Sequence, residues 1–130
     1  MVAYEDGVAA MDWLSKVFGF EEKIKMLDDN GRLLHGELTF GNGTIMLASP
    51  IEDYQSPRHH REVCEATARW YQVPYIINGI LVYVDDVEKH YHKVKEHGAV
   101  LLSEIETGGP GARYRVEDLE GQRWMFMQRS

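Results

Sequence analysis

The chain has 130 residues and a mass of 15.0 kDa, the size of one ordinary domain. With 44% hydrophobic and 27% charged residues it lies in the globular range, which excludes disorder and collagen-like repetition. Its formal charge of −7 disfavours nucleic acid and anionic membrane surfaces, which need clustered cations, and leaves a neutral or cationic organic partner compatible.

Val2 to Glu5 is a short extended candidate. Asp6 then suits a helix N-cap, and Val8, Met11, Leu14, Val17 and Phe18 recur at helical spacing, predicting a helix from Asp6 to Phe18. Gly19 follows where a left-handed terminal residue is wanted. Phe20 to Leu27 reads as a strand, and Asp28-Asp29-Asn30-Gly31 as a turn. Leu33 to Phe40 alternates, with Leu34, Leu38 and Phe40 on the core face and His35, Glu37 and Thr39 on the other. Gly41-Asn42-Gly43 turns the chain into a strand from Thr44 to Ser49.

The segment from Pro50 to Pro74 is rich in charge and histidine and predicts a connector carrying one helix, Pro57 to Trp70. Beyond it the order repeats. Ile76 to Val84 is a β-branched strand, and Asp85-Asp86 leads into a helix from Val87 to His97 with a buried stripe of Val87, Tyr91 and Val94. Gly98 ends that helix. Strands follow at Val100 to Ile105, Arg113 to Val116 and Arg123 to Gln128, with a flexible Gly108-Gly109-Pro110-Gly111 loop between the first two. That loop is placed to close over a ligand, but lacks the Lys-Ser/Thr and helix start of a phosphate loop. The halves superimpose at an offset of about 79 residues, give or take one, so Tyr4-Glu5-Asp6 lies against Val84-Asp85-Asp86, Gly19 against Gly98 and Met46 against Met125. The predicted fold is therefore α+β, two tandem βαβββ modules whose mixed sheets form a cup. Module 1 covers about 1–49, the connector 50–74 and module 2 about 75–130, within a single domain spanning 1–130.

The one cysteine, Cys64, allows no internal disulfide, and it has no CxxC partner or nucleophilic triad around it. No apolar run reaches membrane-spanning length and no signal-peptide layout is present, so a cytoplasmic location is expected. His59-His60 diverge among arginines. His90, His92 and His97 read as helix surface, with His97 at the helix's negative end. Trp70, Tyr71 and Tyr75 are candidates for a lid or a dimer contact.

The two module starts (Asp6 to Phe20, with Trp13-Leu14 and Phe18-Gly19-Phe20, and Gly79 to Val87), together with His97-Gly98-Ala99 and the closing Glu117 to Trp124, resemble the vicinal-oxygen-chelate superfamily. That group includes glyoxalase I, bleomycin-resistance proteins and extradiol dioxygenases, and the chain resembles its bleomycin-resistance branch. The resemblance implies a homodimer with two clefts between subunits. It also implies four metal-ligand positions, two usually His and two usually Glu. Here the first would precede Met1, and the others fall on Gly79, Met46 and Met125. Thioethers and a glycine do not suit hard or borderline divalent ions, so no metal and no other cofactor is expected.

If those positions face the cup, alternation adds Leu81, Tyr83 and Met127, with Thr44 and Ala48 at the rim or floor. Ile45, Leu47, Ile80, Val82, Trp124 and Phe126 then pack under the helices. The expected ligand contacts are Met46, Leu81, Tyr83, Met125, Met127 and Trp70, unless the methionines simply fill core volume or a dimer interface. The leading expectation is a metal-free protein that binds and sequesters a small organic molecule, an antibiotic or toxic metabolite. The alternative is a glyoxalase-like lyase, isomerase or dioxygenase-type enzyme in which His35 and Glu37, two apart on one strand, act as an acid–base pair.

Overall fold

The computed structural model describes residues 1–129, which fall into two compact units, Met1–Ser56 and a second that begins at Pro57. In the first, a short strand β1 (Val2–Ala3) leads to helix α1 (Gly7–Trp13). Asp6 caps α1, its Oδ1 accepting the Ala9 N–H at 3.0 Å, which satisfies one of the donors a helix start leaves open. The helix widens into a π-helical turn at Leu14–Phe18 and stops at Gly19, whose φ of 84° only glycine adopts freely. Strands β2 (Glu21–Leu27), β3 (Leu33–Phe40) and β4 (Gly43–Ala48) follow. The sheet order is β1-β4-β3-β2, with β1 parallel to β4 and the other pairs antiparallel. Ala10, Met11, Leu14 and Phe18 are buried with Leu33, Leu38 and Leu47, so the helix covers one sheet face and leaves the other open.

The second unit begins with helices α2 (Pro57–Val63) and α3 (Glu65–Trp70), then runs β5 (Ile80–Tyr83), α4 (Val87–Glu96), β6 (Val100–Leu101), β7 (Arg113–Glu117) and β8 (Arg123–Met127). Its sheet order, β5-β8-β7-β6 with β5 parallel to β8, repeats that of the first unit. Asp86 caps α4 by accepting the Lys89 N–H at 3.0 Å. Val87 and Val94 of α4 are buried together with Tyr114, Val116, Trp124 and Phe126 of the sheet. The Tyr114 and Phe126 rings stack at 5.6 Å, and burial pushes the Tyr114 phenol well above its ordinary range. Two βαβββ modules with mixed sheets are thus observed, as the repeat predicts.

Five local expectations need correction. Leu34 is 57% exposed, because a register shift lets two residues of β3 oppose one of β2 between the Met26–His35 and Leu27–Leu33 pairs. Leu33 takes the core position instead. The single helix expected over Pro57 to Trp70 breaks at Cys64, whose backbone is extended (φ −139°, ψ 112°). The strand expected from Ile76 begins only at Ile80, since the Ile76 N–H closes a turn on the Val73 carbonyl. The strand over Val100 to Ile105 is cut to two residues where the Ser103 hydroxyl accepts the Arg115 N–H in place of a backbone carbonyl. His90 is not helix surface: its ring lies 4.2 Å from Phe126, and Nδ1 is 2.6 Å from the Tyr114 hydroxyl. His97 does sit at the end of α4, bonded to the Lys93 carbonyl at 2.8 Å.

Candidate functional site

Within each unit α1 or α4 covers one face of the sheet, and strand alternation decides what the other face carries. In the first unit β4 turns Leu47 inward and Met46 outward, where Met46 is 44% exposed. Met46 stands opposite Glu37 on β3, and His35 lies one alternation away on the same face. The His35 Nε2–H donates to Glu37 Oε2 at 2.8 Å, and Lys23 Nζ lies 4.0 Å from the other carboxylate oxygen. The expected His–Glu pair therefore meets in space, half-buried and beside an exposed thioether.

In the second unit the open face is a stack of rungs. Leu81, Met125 and Arg115 form one rung, directly opposite one another on β5, β8 and β7. Tyr83, Met127 and Arg113 form the next. Leu81 and Tyr83 are each 44% exposed, whereas Met127 is only 4% exposed and belongs to the packed interior. The Tyr83 ring is already occupied on one side, with the Arg129 guanidinium carbon 4.1 Å from its centroid. Trp70, half exposed at the end of α3, does not line the cavity formed on this face.

That cavity has a volume of about 170 Å³ and is walled by Tyr75, Gly79, Leu81, Arg115, Arg123 and Met125 among others. Its outer wall, the segment 71–78, is not part of the sheet and is held there by one side chain. Arg123 points back from β8 and donates to the carbonyls of Tyr71 at 2.7 Å, Val73 at 2.6 Å and Ile76 at 3.2 Å. Its Nε–H donates to Glu117 Oε2 at 3.0 Å. Arg61 of α2 closes the cluster, reaching both oxygens of Glu117 at 2.7 and 3.1 Å. Arg123 and Glu117 are 4% and 2% exposed, so this is a buried, fully engaged ion cluster. Tyr71 lies against it, 4.6 Å from Arg123 and 5.1 Å from Arg61. Burial holds the Tyr71 hydroxyl above its ordinary range despite the opposing pull of the two guanidinium groups.

The cluster and Arg115 are features of this face that sequence reasoning missed. The available signal was the alternation Arg113, Arg115, Glu117 on one face of β7, opposite Met127, Met125 and Arg123. The 108–111 loop, expected to be flexible, is stapled by Arg113, which donates to the Gly108 and Gly111 carbonyls at 3.0 and 3.1 Å.

Met46, Gly79 and Met125, the positions where the resemblance expects metal ligands, supply two thioethers and no oxygen or nitrogen side chain. This donor set does not fit a divalent ion of the kind held by imidazole and carboxylate. Among the described residues no three His, Cys, Asp or Glu side chains converge elsewhere.

Two sheets built from repeated βαβββ modules, each with an open face, define the class of protein this is. The family model of the Glyoxalase/Bleomycin resistance protein/Dioxygenase superfamily matches residues 1–126, and the chain belongs to that superfamily. Of solved structures, TioX from Micromonospora sp. ML1 is similar at 27% identity and a TM-score of 0.70, over 99% of this chain and 92% of that one. TnmS3 from Streptomyces sp. CB03234, described as an antibiotic binding protein, is 16% identical with a TM-score of 0.66, over 99% and 91% of the two chains. FosX from Listeria monocytogenes, a fosfomycin resistance protein complexed with Mn(II) and sulfate, is 11% identical with a TM-score of 0.65, over 99% and 86%. The last two share the fold. No curated protein matches the sequence. Among the described residues no helix is long and apolar enough to cross a membrane.

Proposed function

We propose that this protein binds and sequesters a small organic molecule, an antibiotic or toxic metabolite, without a metal, as a cytoplasmic homodimer whose two modules act as one domain. The observation that carries the reading is that the positions where the resemblance expects metal ligands hold Met46, Gly79 and Met125, residue types that offer apolar surface and no ligand for a hard divalent ion. Met125 and Leu81 wall a cavity on the second sheet, with Tyr83 on the next rung, and on the first sheet Met46 is an exposed apolar contact. Ligand pockets of this kind combine an apolar lining with a few oriented polar groups. Trp70 and Met127 are weaker contacts, one off the cavity and one buried.

A thermal-shift and calorimetry screen against cationic glycopeptides and planar aromatic drugs is expected to return a saturable binder. Absence of any binder at millimolar concentration counts against sequestration.

One observation favours a second reading. The His35–Glu37 hydrogen bond at 2.8 Å orients an imidazole beside a carboxylate, the arrangement an acid–base catalyst needs. Elemental analysis of protein purified without chelators separates the two. Stoichiometric Zn, Ni, Fe or Mn that is lost in His35→Ala overturns the metal-free reading and favours a lyase, isomerase or dioxygenase-type enzyme.

A further inference from the structure

The second unit places four arginines on or beside the open face of its sheet, and three are already engaged. Arg123 is bound to Glu117 and three carbonyls. Arg113 holds the 108–111 loop and lies 3.5 Å from Glu106. Arg129 lies over Tyr83. Arg115 differs. Among the described residues no carboxylate stands within ion-pair distance of its guanidinium, and its close side-chain neighbour there is the Tyr75 ring, 5.9 Å away. Yet Arg115 is half-buried and lines the cavity, on the same rung as Leu81 and Met125. A guanidinium held against apolar surface without a counter-anion is a ready partner for a bidentate oxyanion.

The size of the cavity narrows the rest of the ligand. Drug-sized pockets measure roughly 300–1,000 Å³, whereas an apolar cavity of about 150 Å³ takes one benzene ring. The space here, about 170 Å³, fits one ring and one small substituent. Leu81 and Met125 offer it a flat apolar floor, and Tyr75 an aromatic wall. Asn78 adds an amide at the rim, its Oδ1 accepting from Gln122 at 3.3 Å. The chain's charge of −7 argues for cationic ligands at long range, but such fields are screened beyond about 8 Å at physiological salt, and Arg115 acts at contact.

We propose that this cavity takes a single-ring organic carboxylate, or the benzoate-like end of a larger ligand, with the carboxylate paired to Arg115 and the ring lying between Tyr75 and the Leu81–Met125 floor. The assignment rests on the binding function proposed above and names the chemistry of its ligand.

Calorimetric titration of the full chain with benzoate, benzamide, benzylamine and acetate tests it. Benzoate is expected to bind about tenfold or more tighter than benzamide, the ratio expected when a charge-assisted pair replaces a neutral one. Benzylamine and acetate are expected to bind more weakly still, lacking the anion or the ring. Arg115→Gln should bring benzoate down to the benzamide level without changing benzamide, and Arg115→Lys should fall between. If benzamide or benzylamine matches benzoate, or Arg115→Gln leaves benzoate unchanged, the anion assignment is overturned while small-molecule binding stands. If acetate matches benzoate, the ring assignment is overturned. If none of the four binds while a drug from the screen does, this cavity is not the ligand site; if nothing binds in either experiment, both proposals fall.

Discussion

Replacing Glu117 by alanine is expected to destabilise the protein by about 3–5 kcal/mol, because it strands a buried guanidinium. Arg123, 4% exposed, loses its only carboxylate among the described residues, and Arg61 loses both of its contacts to the same group. Single domains of this size are stable by only about 5–15 kcal/mol, so the variant should unfold at a much lower urea concentration with an unchanged denaturant slope. Glu117→Gln, which keeps an acceptor but no charge, should lie between. A loss below about 1 kcal/mol for the alanine variant is the behaviour of an exposed pair and contradicts the buried-cluster description. The same cluster sets the outer wall of the cavity, since Arg123 holds the carbonyls of Tyr71, Val73 and Ile76. Glu117→Gln is therefore also expected to weaken whatever binds there, in protein that remains folded.

The second large effect is expected at Gly111. Its φ is +154° and a Cβ there would stand 2.0 Å from the Gln128 carbonyl oxygen, a backbone atom with no side-chain freedom to yield. The neighbouring residue fixes that approach, because the Gln128 N–H donates to the Ala112 carbonyl at 2.8 Å. Gly111→Ala adds backbone strain and overpacking, each about 1–3 kcal/mol, for a loss of about 3 kcal/mol or more. Gly108→Ala meets no atom within 4 Å and, despite its φ of +92°, should cost less. Urea denaturation of the two variants side by side checks the ordering; equal losses would show that strain alone, and not the close approach of Gln128, decides.

The module repeat was legible because it is written in local signals: helix caps at Asp6 and Asp86, left-handed glycines at Gly19 and Gly98, and inward residues such as Leu47 and Phe126 at strand spacing. The errors share a cause. Ile76 and its β-branched neighbour read as strand, but the Ile76 carbonyl is taken by Arg123 and its N–H by a turn. Leu34 reads as core, but a bulge in β3, opposite the end of β2, gives that position to Leu33. His90 reads as surface by helical spacing, but Tyr114 and Phe126 lie directly beneath it. For Ile76 and His90 a partner far away in the chain overrides the local preference, and for Leu34 the register of the β2–β3 hairpin does so.

The candidate site divides along the same line. Alternation alone placed Met46, Leu81 and Tyr83 on exposed sheet faces, and residue identity alone put thioethers and a glycine at Met46, Met125 and Gly79, where the resemblance expects metal ligands. Side-chain pairing across strands lay beyond it. That Arg123 is consumed as a strut, that Arg129 covers Tyr83, and that Arg115 keeps no counter-ion among the described residues depend on which carboxylates and carbonyls lie within about 3 Å, the range of a hydrogen bond. Composition counts arginines equally, and periodicity assigns them to a face. Sequence by itself therefore determined the modules and the apolar faces, since these follow from backbone geometry and residue chemistry. Only the tertiary structure decided which guanidinium keeps no counter-ion among the described residues, because a charge is paired or not according to neighbours that can stand fifty residues away along the chain, as Tyr71 and Val73 do from Arg123.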